Sequence, residues 1–555
     1  MAPPNFIIIV ADDLGFTDTS AFGGEIDTPN LKSLGEHGLR FTDFHTASAC
    51  SPTRSMLFSG TDNHIAGLGQ MAEFARELPQ AFGGKPGYEG FLNFRVAAPP
   101  EILHDSGYYT FLSGKWHLGL LPEYWPSRRG FERTFSLLPG AGNHYKYFPK
   151  DKTGHYSKFM FPLFEEDGKN RDPQDLPEDY YSSDYFTDRF LDQLNDPRRD
   201  QRPFLGLLTF TAPHWPFQAP PDLIEKYQGF YDEGPEKLRS KRIANAIKLG
   251  IIPKGVEPHP VWTQRKESWS ELVDDDKRTQ SKIMQIYAAM VDRMDYNIGR
   301  VIKTLKDKGE FDNTFILFMS DNGAEGMLME AMPLKSHDIA KVVKERYNNS
   351  FDNLGKKDSF AWYSDEWAQA ATAPSYMYKM WASEGGIRCP LIVHYPELIK
   401  ESTVKHEFVT VMDILPTILQ LAGVKQPEGE FQGRKIVKVR GKSWVPYLEG
   451  KAETVYSEDS VTGWELFAHR AIRKGSLKAL YTPKPYGTGK WELYDLKEDP
   501  GEINNLAEKE EEKLDEMINY WAEYVSETGL VEVDNEKFNL TKRLGTVYDA
   551  REVYK

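Results

Sequence analysis

The sequence has little cysteine and no long hydrophobic run. Among 555 residues only Cys50 and Cys389 are cysteines, so no disulfide framework can form and nothing requires an oxidising compartment. A membrane helix needs roughly 18 apolar residues, and no window of the sequence reaches that length. The N-terminal apolar run, Phe6–Val10, lacks preceding basic residues and leads directly into acids, so it predicts a buried strand rather than a signal peptide. We therefore expect a cytoplasmic protein with no membrane partner.

An excess of positive charge is also missing. The chain has 68 Lys and Arg against 83 Asp and Glu, which gives a formal net charge of −15. This balance disfavours nucleic acid as a partner and repels an anionic substrate unless cations are gathered locally. Any bound anion therefore requires specific lysines, arginines or a metal ion.

The order of the predicted elements is that of an α/β fold. Short β-branched or aromatic runs alternate with helical periodicity, which predicts a large, mostly parallel central sheet between helices. The clearest helix has apolar residues at three- and four-residue steps from Ile283 to Leu305 and ends near Gly309. The predicted strands are Phe6–Val10, Thr110–Ser113, Phe204–Phe210, 314–320 ("TFILFMS") and Leu391–Val393.

The chain divides into a large and a small predicted domain. Residues 1–440 form the α/β domain, with insertions over one face at about 145–200 and 220–280, where no clear period is visible. "FVTVMDILPTILQLAG" is interpreted as a helix near the end of this domain. Residues 441–555 form an α+β subdomain, because "HRAIRKGSLKALYT" and "KWELYDLKEDP" predict short antiparallel strands before a charged helix from about Glu508 to Ser526.

Polar side chains follow four predicted strands. Ligands bind beyond the carboxyl ends of the strands in open α/β sheets, so these side chains are expected to converge on one site. Three carboxylates and one amide oxygen suit Ca²⁺ or Mg²⁺ better than zinc. Each pair alone is equally compatible with a turn or an N-cap, but two pairs at two strand ends favour a metal site. The residues are Asp12 and Asp13, Asp321 and Asn322, Lys115 and His117, and His214.

The lysines and histidines are weaker evidence for a functional site when each is considered alone. Lys115 and His117 lie in the Gly-flanked "SGKWHLG", and His214 lies between two prolines in "TAPHWPF". A single His or Lys is more often structural or solvated than catalytic. Lys379 in "SYMYKMWASEGG" indicates nothing by itself.

Cys50 begins an apparent helix in "ASACSPTRSMLFSG". A lone cysteine is most often a small buried hydrophobe, but the polar neighbours Ser48, Ser51, Thr53 and Arg54 argue against burial. A nucleophile of the tyrosine-phosphatase kind requires a longer phosphate-binding loop than the three residues between Cys50 and Arg54. That spacing excludes the phosphatase interpretation.

"CSPTR" resembles the C-x-P-x-R signature of the type I sulfatases, in which a modifying enzyme converts the cysteine to Cα-formylglycine. Thr53 stands where Ser or Ala is commonest in that family. The resemblance runs from residue 5 to about residue 506 and is strongest to cytosolic bacterial arylsulfatases. It also rests on "NFIIIVADDLGFTD", "DTPNLKSLGEHGLRFTDFH", "GYYTFLSGKWHLG", "FMSDNGAE", "YKMWASEGGIRCPLIVHYP", "VTVMDILPTILQLAG" and "WELYDLKEDPGEINNL".

The resemblance implies an alkaline-phosphatase-like fold and a role for each matching residue. One divalent cation, in first place Ca²⁺ with Mg²⁺ as the alternative, would be held by Asp12, Asp13, Asp321, Asn322 and the modified Cys50. The sulfate oxygens would be bound by Lys115, His214 and Lys379. Arg54 would brace the formylglycine, His117 would act on its hydroxyl, and His214 would donate a proton to the leaving group.

The implied reaction is hydrolysis of aryl or alkyl sulfate monoesters to an alcohol or phenol and inorganic sulfate. The hydrate of formylglycine would attack sulfur, and elimination would release sulfate from the covalent sulfo-enzyme with His117 as base. The implied partners are a small sulfate ester and the enzyme that matures Cys50, and the chain is expected to be a monomer.

Two other functions remain open at this point. A phosphonate monoester or phosphodiester hydrolase of the same superfamily also uses C-x-P-x-R, and an unmodified member would be a non-catalytic binding protein. The leaving-group pocket is equally open: Tyr180, Tyr181, Trp262 and Trp362 either wall it or pack in the core.

Overall fold

A ten-stranded sheet forms the centre of the protein, in the strand order β10-β2-β9-β8-β1-β7-β3-β4-β5-β6. The computed structural model describes residues 3–263, 267–327, 339–484 and 486–533. The strands of this sheet are β1 (Asn5–Ala11), β2 (Leu39–His45), β3 (Tyr109–Lys115), β4 (Arg133–Leu137), β5 (Phe164–Glu166), β6 (Lys169–Arg171), β7 (Phe204–Thr209), β8 (Thr314–Ser320), β9 (Arg388–His394) and β10 (Thr403–Thr410).

The middle of the sheet is parallel and buried on both faces. β1 pairs in parallel with β7 and β8, and β3 pairs in parallel with β7 and β4, whereas β9 runs antiparallel to its neighbours β2 and β8. Side chains along β1 alternate between two cores: Ile7, Ile9 and Ala11 face one, and Phe6, Ile8 and Val10 face the other. A strand covered on both faces reads as a continuous apolar run, which is why the sequence predicted this sheet.

Helices cover both faces. The described α-helices are α1 (Pro29–Glu36), α2 (Cys50–Ser59), α3 (Asn63–Ala66), α4 (Ala72–Ala75), α5 (Pro79–Phe82), α6 (Pro99–Asp105), α7 (Ser182–Leu194), α8 (Pro221–Lys226), α9 (Pro235–Lys248), α10 (Asp274–Asp307), α11 (Ile339–Arg346), α12 (Asp365–Ala371), α13 (Glu384–Ile387), α14 (Ile414–Leu421), α15 (Val445–Leu448) and α16 (Glu511–Thr528). In the described ranges, none combines the length and apolar character that a bilayer crossing requires.

The predicted central helix is confirmed as α10. It starts with three acids, Asp274, Asp275 and Asp276, and buries the predicted apolar positions from Ile283 to Leu305. Acids in the first turn interact favourably with the helix dipole. Gly309 follows the helix with a positive φ of 68° and reverses the chain into β8.

Three differences from the sequence predictions concern irregular segments. Helices α7, α8 and α9 lie in the segments that showed no clear period, and β5 and β6 extend the sheet. The first residues of "FVTVMDILPTILQLAG" belong to β10, and the helix α14 begins only at Ile414. Strong turn formers and β-branched residues at these places obscured the boundaries.

A separate four-stranded antiparallel sheet lies in the C-terminal region, as predicted. It comprises β13 (Val461–Leu466), β14 (His469–Lys474), β15 (Leu477–Tyr481) and β16 (Trp491–Asp495), and a short hairpin of β11 (Glu430–Phe431) and β12 (Arg434–Lys435) precedes it. Met517, Trp521 and Tyr524 of α16 pack on this sheet. Buried ion pairs fasten it to the large domain: Arg473 binds Asp43, and Lys478 binds Glu384.

Candidate active site

The loops after β1, β8, β3 and β7 lie side by side at one edge of the sheet. Parallel pairing places the carboxyl ends of neighbouring strands together, so the polar residues that follow them meet. Asp12 and Asp13 follow β1, Asp321 and Asn322 follow β8, and Lys115 is the last residue of β3. With Cys50, Arg54 and Lys379 they form a buried polar surface, which we call the floor.

The acidic part of the floor is tightly connected. The Asn322 side-chain amide donates to Asp13 Oδ1 at 2.7 Å, and the Asp13 N–H donates to Asp321 Oδ1 at 3.2 Å. The Cys50 Sγ lies 3.7 Å from Asp13 Oδ1. Asp13 has a positive φ of 68°, a strained conformation that occurs preferentially at functional sites.

Cations neutralise most of this negative charge. Lys115 Nζ lies 2.6 Å from Asp12 Oδ2, and Lys379 Nζ lies 2.9 Å from Asp13 Oδ2 and 3.2 Å from Glu325 Oε2. Although burial acts to raise it, these lysines together with His214 hold the pKa of Asp13 far below its usual value. The described floor therefore has three cationic groups, one of them an arginine, which face its three carboxylates and the adjoining Glu325.

Arg54 connects Cys50 to the rest of the floor. Its Nε and Nη2 donate to Asp321 Oδ2 at 3.0 and 2.9 Å, and its Nη1 donates to the backbone carbonyl of Lys115 at 2.8 Å. Burial and the charge of Asp12 raise the pKa of Asp321 to about 6, against the opposing effect of Arg54. The guanidinium thus holds the start of α2 against two strand ends.

The donor set fits a hard divalent cation. Oδ1 of Asp12 and Oδ1 of Asn322 are buried and accept no hydrogen bond from any described residue. A buried polar atom without a partner costs about 1–3 kcal/mol, and a cation bound between these oxygens would remove that cost. Oxygen ligands are those that Ca²⁺ and Mg²⁺ prefer, and a divalent charge would make the floor net positive.

Cys50 is the first residue of α2 and is only 1% exposed. The argument from its polar neighbours against burial is therefore wrong, because those neighbours are buried as well. Thr53 Oγ1 donates to the Ala47 carbonyl at 3.1 Å, and Arg54 donates to the carboxylate of Asp321. Burial, with Asp12 nearby, raises the pKa of the Cys50 thiol well above its usual value. An unmodified Cys50 is a weak nucleophile here.

A cavity of about 690 Å³ opens above Cys50. His117, His214 and Lys379 reach it from the side of the floor. Its opposite surface, which we call the wall, is mainly apolar and is formed by residues from the segments 71–77, 139–141 and 158–161, together with Trp215. The apolar side chains of the wall include Met71, Phe74, Phe159, Phe161 and Trp215.

The aromatic residues proposed for this pocket lie elsewhere. Tyr180 and Tyr181 are buried in the core, and Trp262 packs against Tyr486. Trp362 is also buried and packs against Phe360. No periodic pattern marks the true wall, whose segments are the short helix α4 and loops.

The two histidines are held differently. His214 Nδ1 lies 2.7 Å from the Trp215 carbonyl, which only accepts, so Nδ1 carries the hydrogen and Nε2 faces Asp13 Oδ2 at 3.5 Å. Burial lowers the pKa of His214 well below its usual value, although Asp13 opposes this. His117 Nε2 instead faces Glu73 Oε1 at 3.4 Å.

Two acidic residues of the site were not predicted. Glu73 lies on α4, and Glu325 lies beyond β8, where burial raises its pKa to about 7 against the effect of Lys379. Both border the cavity. Glu325 lies in the "FMSDNGAE" segment, shortly after the end of β8. This position near a strand end is the feature of the sequence that could have identified it as a site residue. Nothing in the local sequence marks Glu73.

Family models and curated relatives match most of the chain. A family model described as Sulfatase matches residues 4–424, and one described as N-sulphoglucosamine sulphohydrolase, C-terminal, matches residues 375–523. An uncharacterized sulfatase of Schizosaccharomyces pombe is 53% identical over 531 residues, covering 95% of this chain and 94% of its own. An arylsulfatase of Klebsiella aerogenes is 35% identical over 445 residues, covering 79% and 91%.

Solved structures show the same fold. The crystal structure of Ps i-CgsB superposes with a TM-score of 0.67 at 22% identity and covers 100% of both chains. The same protein in complex with k-i-k-neocarrahexaose gives a TM-score of 0.66 at 21% identity, again over 100% of both chains.

Proposed function

The chain belongs to the sulfatase family of sulfuric ester hydrolases, and we propose that it releases inorganic sulfate from aryl or alkyl sulfates in the cavity above Cys50. The observation that supports this most strongly is the floor itself. Metal-ligand oxygens, two lysines and one arginine surround Cys50 at the bottom of an apolar cavity. The family implies that the cavity binds a sulfate ester with sulfur near position 50.

Charge is the first requirement of this reaction. A sulfate monoester is an anion, and the chain has a formal net charge of −15. Lys115 and Lys379 place two ammonium groups at the floor, where their positive charge is preorganised and little screened by water. We infer that these two side chains bind the sulfate oxygens and offset the repulsion from the rest of the protein.

Two groups that the twenty standard amino acids do not supply, a divalent cation and a modified residue, complete the site. Asp12, Asp13 and position 50, whose ligand atoms lie close together, would hold one divalent cation with Asp321 and Asn322, Ca²⁺ in first place, which would supply Lewis acidity and positive charge. We also propose that a maturation enzyme converts Cys50 to Cα-formylglycine, whose hydrate supplies one hydroxyl for attack and a second for release. The raised pKa of the unmodified thiol agrees with this need for conversion.

Arg54 and the histidines perform the remaining tasks. Arg54 orients position 50 through Asp321 and the Lys115 carbonyl. His214 directs Nε2 to the cavity, and proton donation to the leaving oxygen requires its imidazolium form. An anionic ester bound beside it favours that form. His117 has Nδ1 buried with no partner in the described part of the chain, so this nitrogen is available as a base.

The wall indicates the kind of alcohol. Its surface is mainly apolar and suits an aryl or alkyl group rather than a strongly hydrated one. The cytoplasmic location and monomeric state expected from the sequence remain predictions.

Parallel assays test the proposed reaction. The matured protein with Ca²⁺ should hydrolyse 4-nitrophenyl sulfate with a higher kcat/KM than 4-nitrophenyl phenylphosphonate or bis(4-nitrophenyl) phosphate. Cys50→Ala is the matched control, and it should bind the cation and fold but show no turnover. A higher kcat/KM on either phosphorus ester would replace the proposal with phosphonate or phosphodiester hydrolysis. Absence of turnover on all esters by fully converted protein would indicate a binding function.

A further inference from the structure

The imidazole of His117 is confined on two sides. Its backbone lies in a strained conformation with φ of 58°, and its N–H donates to the Leu138 carbonyl at 3.2 Å. Nε2 lies 3.4 Å from Glu73 Oε1, and Nδ1 is buried without a hydrogen-bond partner among the described residues. The ring is thus oriented through one nitrogen only.

Gly140 closes the other side. A Cβ atom at position 140 would lie 2.4 Å from Cε1 and 2.5 Å from Nε2 of His117. The φ of Gly140 lies outside the left-handed region, so an alanine fits the backbone there and fails only against the imidazole. The ring therefore occupies space that only a glycine leaves open.

The contact with Glu73 also selects the tautomer. A carboxylate accepts hydrogen bonds but cannot donate one, so Nε2 must carry the hydrogen, and in the neutral imidazole Nδ1 then presents its lone pair. Burial lowers the pKa of His117 against the effect of Glu73, which favours the neutral ring. The distance of 3.4 Å is long, as hydrogen bonds of ligand-free catalytic sites often are. Glu73 places a negative charge on the wall of a cavity that receives an anion, which opposes binding unless the charge serves His117.

We propose that Glu73 is a positioning residue that, with Gly140, fixes the orientation and tautomer of His117, so that Nδ1 serves as the base for release of sulfate. This inference rests on the proposed sulfatase function. It assigns Glu73 no contact with the substrate, and its effect passes through the imidazole of His117.

The C-terminal subdomain holds Glu73 in place. Phe74, the next residue, packs edge-on against Phe467 with ring centroids 4.6 Å apart. Phe467 and Ala468 form the two-residue turn between β13 and β14 with φ of 53° and 66°. Turns of this shape favour Asn and Gly, so Phe467 and Ala468 are strained there. This strained turn is buried against Phe74, which indicates that packing around the site holds the turn in its position.

The kinetic test uses Glu73→Ala and Glu73→Gln. Release of sulfate does not involve the leaving alcohol, so Glu73→Ala should slow that step alone: kcat should fall about 10²-fold and KM should fall with it, while kcat/KM changes little. The value of kcat should then become the same for aryl sulfates with good and poor leaving groups. Glu73→Gln should retain more activity, because its amide oxygen can still accept from Nε2.

The second test measures the orientation of the His117 imidazole directly and does not depend on turnover. Crystal structures of Gly140→Ala and Glu73→Ala, each in the unconverted Cys50→Ala background, should show the His117 imidazole displaced or rotated. Gly142→Ala is the matched control in the same loop, because its Cβ would meet Leu137 rather than His117. It should leave the ring in place.

The outcomes separate the two claims. An unmoved ring in both variants, or a kcat within about twofold of wild type for Glu73→Ala, would overturn the positioning role. A wild-type protein that fails to hydrolyse sulfate esters would overturn the proposed function, while the crystal structures would still decide whether Glu73 and Gly140 orient His117.

Discussion

The floor and the wall of the cavity are built in different ways. Floor residues such as Asp12, Lys115 and Asp321 lie at or just after strand ends, where the parallel pairing of β1, β3, β7 and β8 determines their positions. Wall residues such as Phe74 and Phe159 lie on short helices and loops that meet only in the folded chain. The floor is polar and coupled by charge, whereas the wall is mainly apolar. The chemistry is thus assigned to the floor and the choice of alcohol to the wall.

The largest effect should follow from breaking the floor at Asp321. Asp321→Asn removes a metal-ligand charge and the anionic oxygen Oδ2 that accepts two hydrogen bonds from Arg54, so activity should fall about 10³-fold or more. Metal content, measured by plasma emission spectrometry, should fall with activity. Asp413→Asn is the control, because Asp413 is equally buried but accepts hydrogen bonds away from the floor, from the backbone N–H groups of Thr410 and Lys442 and the side chains of Trp444 and Tyr456. Preserved metal stoichiometry in Asp321→Asn would contradict the ligand assignment.

A smaller effect should come from His214, at the junction of floor and wall. His214→Ala should lower kcat about 10²-fold or more for alkyl sulfates, because a poor leaving group needs the proton. For 4-nitrophenyl sulfate, whose phenolate leaves unaided, the loss should be much less. Steady-state kinetics over a series of aryl sulfates measures this as a steeper dependence on leaving-group pKa. An unchanged slope would refute the proton-donor role.

The wall should respond through substrate binding alone. Phe159→Ala removes apolar surface from the cavity, and a loss of about 1.5 kcal/mol of binding raises KM for aryl sulfates about tenfold. Turnover at saturation and metal content should remain near wild type. Phe351→Ala, on a half-exposed phenylalanine away from the cavity, should change neither constant. A Phe159→Ala variant that loses kcat rather than KM would remove the distinction between floor and wall.

The smallest effect on activity is expected away from both regions, where His64 contacts Glu465 of the C-terminal sheet. Although burial opposes it, Asp62 and Glu465 raise the pKa of His64 from its ordinary 6.5 to about 9. The charged His64 therefore stabilises the fold below about pH 6.5, and this contribution, about 3 kcal/mol, is lost as pH rises through about 9. Urea unfolding across this range should show the decline in wild type and a flatter profile in His64→Gln. Equal slopes would contradict the charged state of His64.

The contrast between floor and wall also explains how much of the site could be predicted from the sequence alone. Asp12, Asp13, Asp321 and Asn322 were predictable because a buried parallel strand reads as an apolar run and its end marks a ligand edge. The antiparallel C-terminal sheet was predictable from its short strands and turns. These features are local to single segments.

The wall was not predictable because its parts depend on distant contacts. Glu73 acquires its place from Phe467, far along the chain, and Gly140 matters only because His117 fills the space beside it. The burial of Cys50 was missed for a similar reason, since its polar neighbours find partners such as Asp321 that no local pattern reveals. Packing between loops, rather than propensity, determines this side of the site.

The central claim is that position 50 works as an aldehyde rather than as a cysteine. Trypsin should release the peptide Phe41–Arg54, and its mass shows directly whether the side chain at position 50 still contains sulfur. The account predicts that active preparations contain the aldehyde form and that kcat per molecule rises in proportion to the converted fraction. A fully active preparation in which every such peptide retains the thiol would contradict it.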